Sequence, residues 1–149
     1  AYAHSGSSPW NTLTETRLRG VFDRIAAAGL EGTEHRVPPG FTHGARLIGE
    51  LSAAGGLPDA LLCASDMVAV GALQACLQRG LRVPEDIAIC AFDGTELTTV
   101  THPAITSLDY PLERVASAGT EEIRRLAEEP DGPVRRRKID ARVQPRQTT

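Results

Sequence analysis

Residues 60–92 read ALLCASDMVAVGALQACLQRGLRVPEDIAICAF, and this stretch decides the fold. Ala60 to Ala64 is a continuous apolar run of strand length. Ser65 and Asp66 interrupt it, and both are residue types that start helices by accepting hydrogen bonds from free backbone N–H groups. A helix is predicted over Met67–Arg79, closed by Gly80 and followed by Pro84, the usual order of stop signals. Asp86 to Phe92 is a second apolar strand. Strands apolar on both faces belong to a parallel sheet covered by helices. The unit is therefore strand–helix–strand, and the predicted class is α/β with a doubly wound parallel sheet.

The same alternation extends outward. Residues 2–5 end a short strand, and the loop SGSSPWN follows. Thr12 and Glu15 have capping-box spacing, so a helix begins there. Leu18, Val21, Phe22, Ile25 and Ala28 recur at helical period until Gly29. Glu34–Val37 is a strand broken by Pro38-Pro39-Gly40, and a helix over Thr42–Ala54 stops at Gly55-Gly56. Downstream, Ile105–Leu108 is a strand, Pro111–Glu128 a helix, Pro130-Asp-Gly-Pro133 a turn and Arg137–Val143 a closing strand. No internal repeat or low-complexity segment is visible.

Composition narrows the function. The chain has 149 residues, 41% hydrophobic and 23% charged, which suits one soluble globular unit without a membrane span. A net charge of −3 is not the footprint of a nucleic-acid-binding surface. The basic cluster Arg135-Arg136-Arg137-Lys138 reads as a solvated run. Cys63, Cys76 and Cys90 are odd in number and widely spaced, which fits buried inert thiols rather than disulfides or zinc. Neither G-x-G-x-x-G, Walker A nor G-x-S-x-G occurs, and His4, His35, His43 and His102 show no ligand spacing. No metal, cofactor or catalytic set is expected. Asp66 and Asp93 remain the one conceivable acid–base pair.

In such sheets ligands bind beyond the carboxyl ends of the strands. The polar groups there are the 5–11 loop, Gly40-Phe41-Thr42, Ser65-Asp66, Asp93-Gly-Thr-Glu96 and Asp109-Tyr110. A ligand rich in hydroxyls would use carboxylates, an arginine and an aromatic face. Arg17 stands early in its helix, where positive charge opposes the dipole, which hints at function or at simple snorkelling to solvent. Phe41 is either a core plug or a stacking platform.

Taken together, ALLCASDMVAVGALQACLQRGLRVPEDIAICAFDGTEL, HPAITSLDYPLERVASAGTEEIRRL, TETRLRGVFDRIAAAGL and the tail DARVQPRQTT resemble the LacI/GalR family of bacterial transcriptional regulators. The resemblance covers nearly the whole chain. It implies a periplasmic-binding-protein-like effector domain of two lobes, of which this chain is the C-terminal part. Residues 1–109 would be most of the second lobe, without its opening strand and helix. Residues 110–130 would be a crossover and helix belonging to the first lobe, and 131–149 a return segment with the closing strand. The DNA-binding helix-turn-helix would precede Ala1.

By position, the resemblance assigns effector contacts to Arg17, Phe41, Ser65, Asp66, Asp93 and Tyr110. Asp93 matches an Asp that binds ligand hydroxyls. Ser65 stands where the family has Asn, Tyr110 where it has Gln, and Gly94 where it has a second Asp. For Asp66, capping or bracing of the helix competes with ligand contact. Helix 67–79 is apolar nearly all round, so it is buried on more than one side; the family dimerises through it, which nominates Val70, Leu73, Gln74 and Leu77, and the alternative is burial against the chain's own sheet alone. The implied function is the effector-sensing and dimerising part of a cytoplasmic repressor. Its partners would be a small molecule, most simply a carbohydrate, a second copy of itself, and operator DNA through the helix-turn-helix. The alternative is a secreted sugar-binding protein of the same fold serving a transporter. Helix 111–128, lacking its own lobe, should dock on the 1–109 sheet or on another copy.

Overall fold

A computed structural model describes residues 1–4 and 12–149. The 5–11 loop expected at the ligand edge, and the Thr12 side chain of the capping box, lie outside the described residues. The order is β1 (Tyr2–His4), α1 (Thr12–Ala27), β2 (Glu34–Arg36), α2 (Phe41–Ala53), β3 (Ala60–Cys63), α3 (Asp66–Gln78), β4 (Ala88–Asp93), a 3-10 turn (Glu96–Thr98), β5 (Thr106–Asp109), α4 (Leu112–Glu128) and β6 (Arg142–Gln144). The six strands form one sheet in the order β2-β1-β3-β4-β5-β6. All neighbours pair in parallel except β5 with β6. The strand order reverses between β1 and β3, so the carboxyl ends on either side of that point open a crevice.

Strand alternation separates two faces. Leu61, Cys63, Ile89 and Ala91 point to one side, where they are buried with Leu47, Ile48, Val68, Ala72, Leu73 and Cys76 of α2 and α3. Those two helices pack against each other with almost no side chain between them. A Cβ added at Gly44 would collide with the Val68 carbonyl, and one added at Gly71 with that of Phe41. The opposite face, carrying Leu62 and Phe92, borders α1 along an apolar groove of about 910 Å³. From Glu15 onward no side chain of α1 is fully buried.

Helix ends follow the sequence signals. Gly80 (φ 74) ends α3, with Leu81 N donating to Cys76 O and Gly80 N to Leu77 O; Gly29 (φ 67) ends α1 the same way. Here only glycine takes the left-handed conformation cheaply. Burial pushes the Cys76 thiol up to about 11 and lifts Cys63 still further, so both are inert, as their apolar settings predict.

Three expectations need correction. The closing strand is three residues long rather than seven, because the free edge of β5 pairs only from Ser107 to Asp109. Arg137 is instead held by Glu121 of α4 at 2.6 Å. Of the two docking places expected for α4, the sheet is not used: none of its residues is buried, and Leu112 and Ile123 are 70% and 72% exposed, which leaves docking on another copy as the expectation. Its polar side is tied instead to the return segment, with Arg125 bonded to Glu122 and to the Pro133 carbonyl, both at 2.6 Å. Leu73 faces the chain's own core at 0% exposure and has no surface for a partner to touch.

The tail after β6 closes the sheet. Thr148 is fully buried; its hydroxyl donates to Ile89 O at 2.6 Å, and Ile89 N donates to Thr148 O at 2.9 Å. Arg146 donates to Ile105 O and to the Thr98 hydroxyl.

Candidate functional site

Of the expected residues, Ser65, Asp66, Asp93 and Tyr110 lie at the carboxyl ends of β3, β4 and β5. Asp66 is the hub. It opens α3, is 2% exposed, and both carboxylate oxygens are taken. Oδ2 accepts from Thr95 N at 2.7 Å and from the Thr95 hydroxyl at 2.8 Å, while Oδ1 accepts from the Ser107 hydroxyl at 3.0 Å. A buried carboxylate with both oxygens hydrogen-bonded braces three segments together and keeps little capacity for a ligand or a proton-transfer role. The acid–base pairing of Asp66 with Asp93 therefore has no geometric basis. Ser65 is the N-cap residue, with extended backbone, yet its hydroxyl makes no capping bond. It lies half-buried beside the hub.

Asp93 ends β4 in a strained conformation, φ 103, the only non-glycine residue with positive φ among those described. Gly94 follows at φ 66, and a Cβ there would stand 2.7 Å from Asp109 Cα. In this chain that close approach leaves no room for a side chain at the position where the LacI/GalR pattern has a second Asp. Gly94 N donates to the Ser107 hydroxyl at 3.1 Å, which pins the turn. The Asp93 carboxyl is raised from its ordinary value, first by burial and then by the Asp66 charge; a hydrogen bond from Asp66 N and the Arg17 charge oppose this. A half-desolvated acceptor held in a strained turn is what a polar ligand would find.

Arg17 reaches this edge from α1. Its Nη2 donates to the Tyr110 hydroxyl at 3.0 Å. Its guanidinium carbon lies 5.1 Å from the centre of the Phe92 ring and 5.7 Å from that of Tyr110. The structure thus brings Arg17, Asp93 and Tyr110 to one place. Phe92 is a member of the cluster that the sequence did not single out; strand alternation does put it on the α1 side, but Asp93 beside it carried the pattern. Phe41 begins α2, its ring 46% exposed, so it is not a core plug. None of the described hydrogen bonds or ring contacts joins it to the Arg17 cluster. Among the described residues no group of His, Cys, Asp and Glu could hold a metal ion, and no helix is long and apolar enough to cross a membrane.

On α3, Met67 and Leu77 are 38% and 37% exposed, Val70 is half-buried and Gln74 exposed. They stand at helical spacing; of the four nominated interface positions Gln74 and Leu77 are exposed, while Val70 is partly covered by the chain's own core.

Comparison with known proteins agrees with this architecture. Residues 1–149 match the periplasmic binding protein-like domain family. Catabolite control protein A of Staphylococcus aureus is 37% identical over 65 residues, 44% of this chain and 20% of that protein. The transcriptional repressor PurR of Pasteurella multocida is 32% identical over 109 residues, 71% of this chain and 33% of that protein. A LacI-family transcriptional regulator from Arthrobacter sp. FB24, solved in complex with lactose, superposes with a TM-score of 0.86 at 22% identity, covering 99% of this chain and 56% of that one. The chain thus matches a third or less of the length of these curated relatives and just over half of that solved neighbour. The chain belongs to the periplasmic-binding-protein-like domain family, in the branch formed by the effector-binding domains of LacI-family transcriptional regulators.

Proposed function

We propose that this chain is the effector-sensing and dimerising part of a transcriptional repressor, and that its effector is a carbohydrate. The observation that carries the proposal is the pairing of opposite hydrogen-bonding characters at one sheet edge. Arg17 offers only donors and Asp93 only acceptors, with the faces of Phe92 and Tyr110 between α1 and the sheet. A vicinal diol answers both, since one hydroxyl donates to Asp93 while its neighbour accepts from Arg17. An anionic ligand suits the edge less well, because Asp93 already feels the Asp66 carboxylate. Ser65 and the exposed ring of Phe41 would supply further polar and stacking contacts, and Asp66 acts as the brace beneath them.

In this reading residues 1–109 are most of one lobe, and α4 belongs with a partner lobe outside the chain. The exposed apolar side of α4 supports that division. The stripe Met67, Val70, Gln74 and Leu77 is the surface for a second copy. Operator DNA would be held by a helix-turn-helix elsewhere in the regulator, and effector binding would alter lobe closure and hence DNA affinity. A transporter's sugar-binding protein shares the fold, but the matched relatives named above are regulators and repressors.

The test is calorimetric titration of mono- and disaccharides into wild type and Asp93→Ala. Removing a charged acceptor from a half-buried site costs about 1.5–3 kcal/mol, roughly 10- to 150-fold in affinity. Unchanged affinity in a folded variant removes Asp93 from the site.

A further inference from the structure

Arg17 has to be held in place by something other than its helix. No described side chain of α1 is fully buried, so helix packing alone leaves a long, flexible side chain poorly fixed. What meets it at the sheet edge is aromatic: the Phe92 ring at 5.1 Å, the Tyr110 ring at 5.7 Å, and the Tyr110 hydroxyl at 3.0 Å from Nη2. The chemistry of the contact matters. A guanidinium is flat, and its five N–H donors all lie in its plane. A carboxylate partner would occupy those donors in pairs. A ring against the face attracts the charge and leaves the in-plane donors open. Phe92 offers no polar atom of its own, so it can hold Arg17 without competing for a single donor. Its backbone is fixed in turn, because β4 is paired to β5 with Phe92 opposite Leu108. The Tyr110 bond then sets rotation within the plane by engaging one nitrogen.

We propose that Phe92 is a positioning residue for effector recognition: its ring, with that of Tyr110, clamps the Arg17 guanidinium at the sheet edge and leaves the donors that have no partner among the described residues open to the ligand. This rests on the reading of Arg17 as an effector contact. It also carries a specificity consequence. The side of Arg17 that Phe92 occupies is closed to a second ring, so recognition runs through acceptors that meet the donors left over.

The experiment needs no effector. The 149-residue chain is labelled with ¹³C,¹⁵N-arginine and followed by side-chain NMR. In wild type the Arg17 δ and ε protons are shifted upfield by ring currents, and the Nη2 protons that reach Tyr110 exchange with water more slowly than those of the exposed Arg19. Phe92→Leu reduces the upfield shift to the part the Tyr110 ring supplies and speeds exchange while backbone amides elsewhere keep their positions; Phe92→Tyr keeps both as in wild type. Tyr110→Phe keeps the shift and loses only the slow exchange. Arg17 signals in folded Phe92→Leu identical to those of wild type overturn the clamp. Should Phe92→Leu not fold, Tyr110→Leu removes the other ring, and unchanged Arg17 signals in it overturn the clamp equally. Failure of the underlying reading looks different: Arg17→Ala then binds sugars as wild type does, while the clamp signals of wild type are intact.

Discussion

Replacing Asp66 by Ala tests the brace that organises the site. The substitution deletes the acceptor of three hydrogen bonds and strands the Thr95 N–H, the Thr95 hydroxyl and the Ser107 hydroxyl at a nearly closed position. A hydrogen bond to a charged group is worth about 1.5–3 kcal/mol, and stranded buried donors add to the loss. Because the three bonds share one carboxylate, their contributions do not add in full, and the expected net loss is about 3–5 kcal/mol. For a chain of this size each kcal/mol lowers Tm by roughly 2–4 °C, so Asp66→Ala should melt about 6–20 °C lower. Asp66→Asn keeps the shape and at least one carbonyl acceptor for Thr95 but loses the charge at the α3 N-terminus. It should cost only about 1–2 kcal/mol. The assay is thermal and urea unfolding followed by circular dichroism, with Ser107→Ala added to close a double-mutant cycle. Coupling between positions 66 and 107 near zero, or an Asp66→Ala Tm within about 1 °C of wild type, refutes the brace.

Other outcomes follow from the same structure. Burial lifts the Asp93 carboxyl, so the folded state binds that proton more tightly than the unfolded state; ionisation therefore costs stability as pH rises through the folded value. Asp93→Asn, which retains an acceptor for Asp66 N, should raise Tm at neutral pH and give no gain near pH 3, below the ordinary aspartate pKa of about 3.9; a gain equal at both pH values contradicts this. Gly71→Ala should destabilise by about 2 kcal/mol or more in urea unfolding, because the new methyl meets the Phe41 carbonyl and overpacking outweighs the helix propensity of alanine. Phe41→Ala, at a 46% exposed ring, should leave unfolding within about 1 kcal/mol of wild type and weaken sugar binding. In sedimentation velocity at micromolar concentration the chain should run larger than its 15.9 kDa monomer, and Leu77→Glu on the exposed stripe of α3 should shift it toward monomer; a wild type that is already monomeric removes that stripe as an interface.

The fold was legible because two strong signals agreed. Apolar runs at 60–64 and 86–92 flanked a helix with start and stop residues, and the structure sets these strands side by side in parallel. Boundaries moved by a residue or two where capping is a matter of backbone geometry, as at Asp66, which opens α3 instead of preceding it. The closing strand was overread, since the sequence of 137–143 says nothing of how much sheet edge is free to pair. Leu73 was misassigned to a partner surface because a helix apolar on nearly every side hides which side meets the chain's own core. At the site, charged and polar residues after strands were visible as candidates, but their division of labour was not. Asp66 and Asp93 look alike in sequence; only hydrogen-bond partners drawn from residues 95 and 107 show that the first is occupied and the second is held half-open. Phe92 went unnoticed because a Phe near the end of an apolar strand reads as core until a cation is seen against its ring.

The central claim is that an edge made of Arg17 and Asp93 reads a polyhydroxylated effector and passes that reading to DNA. The direct measurement is fluorescence anisotropy of the intact regulator on its operator, titrated with the sugar that binds most tightly, in wild type and Asp93→Ala. The account predicts that the sugar changes operator affinity in wild type and that Asp93→Ala needs at least about tenfold more sugar for the same change. Operator affinity indifferent to every sugar, or a half-point unmoved by Asp93→Ala, would contradict it.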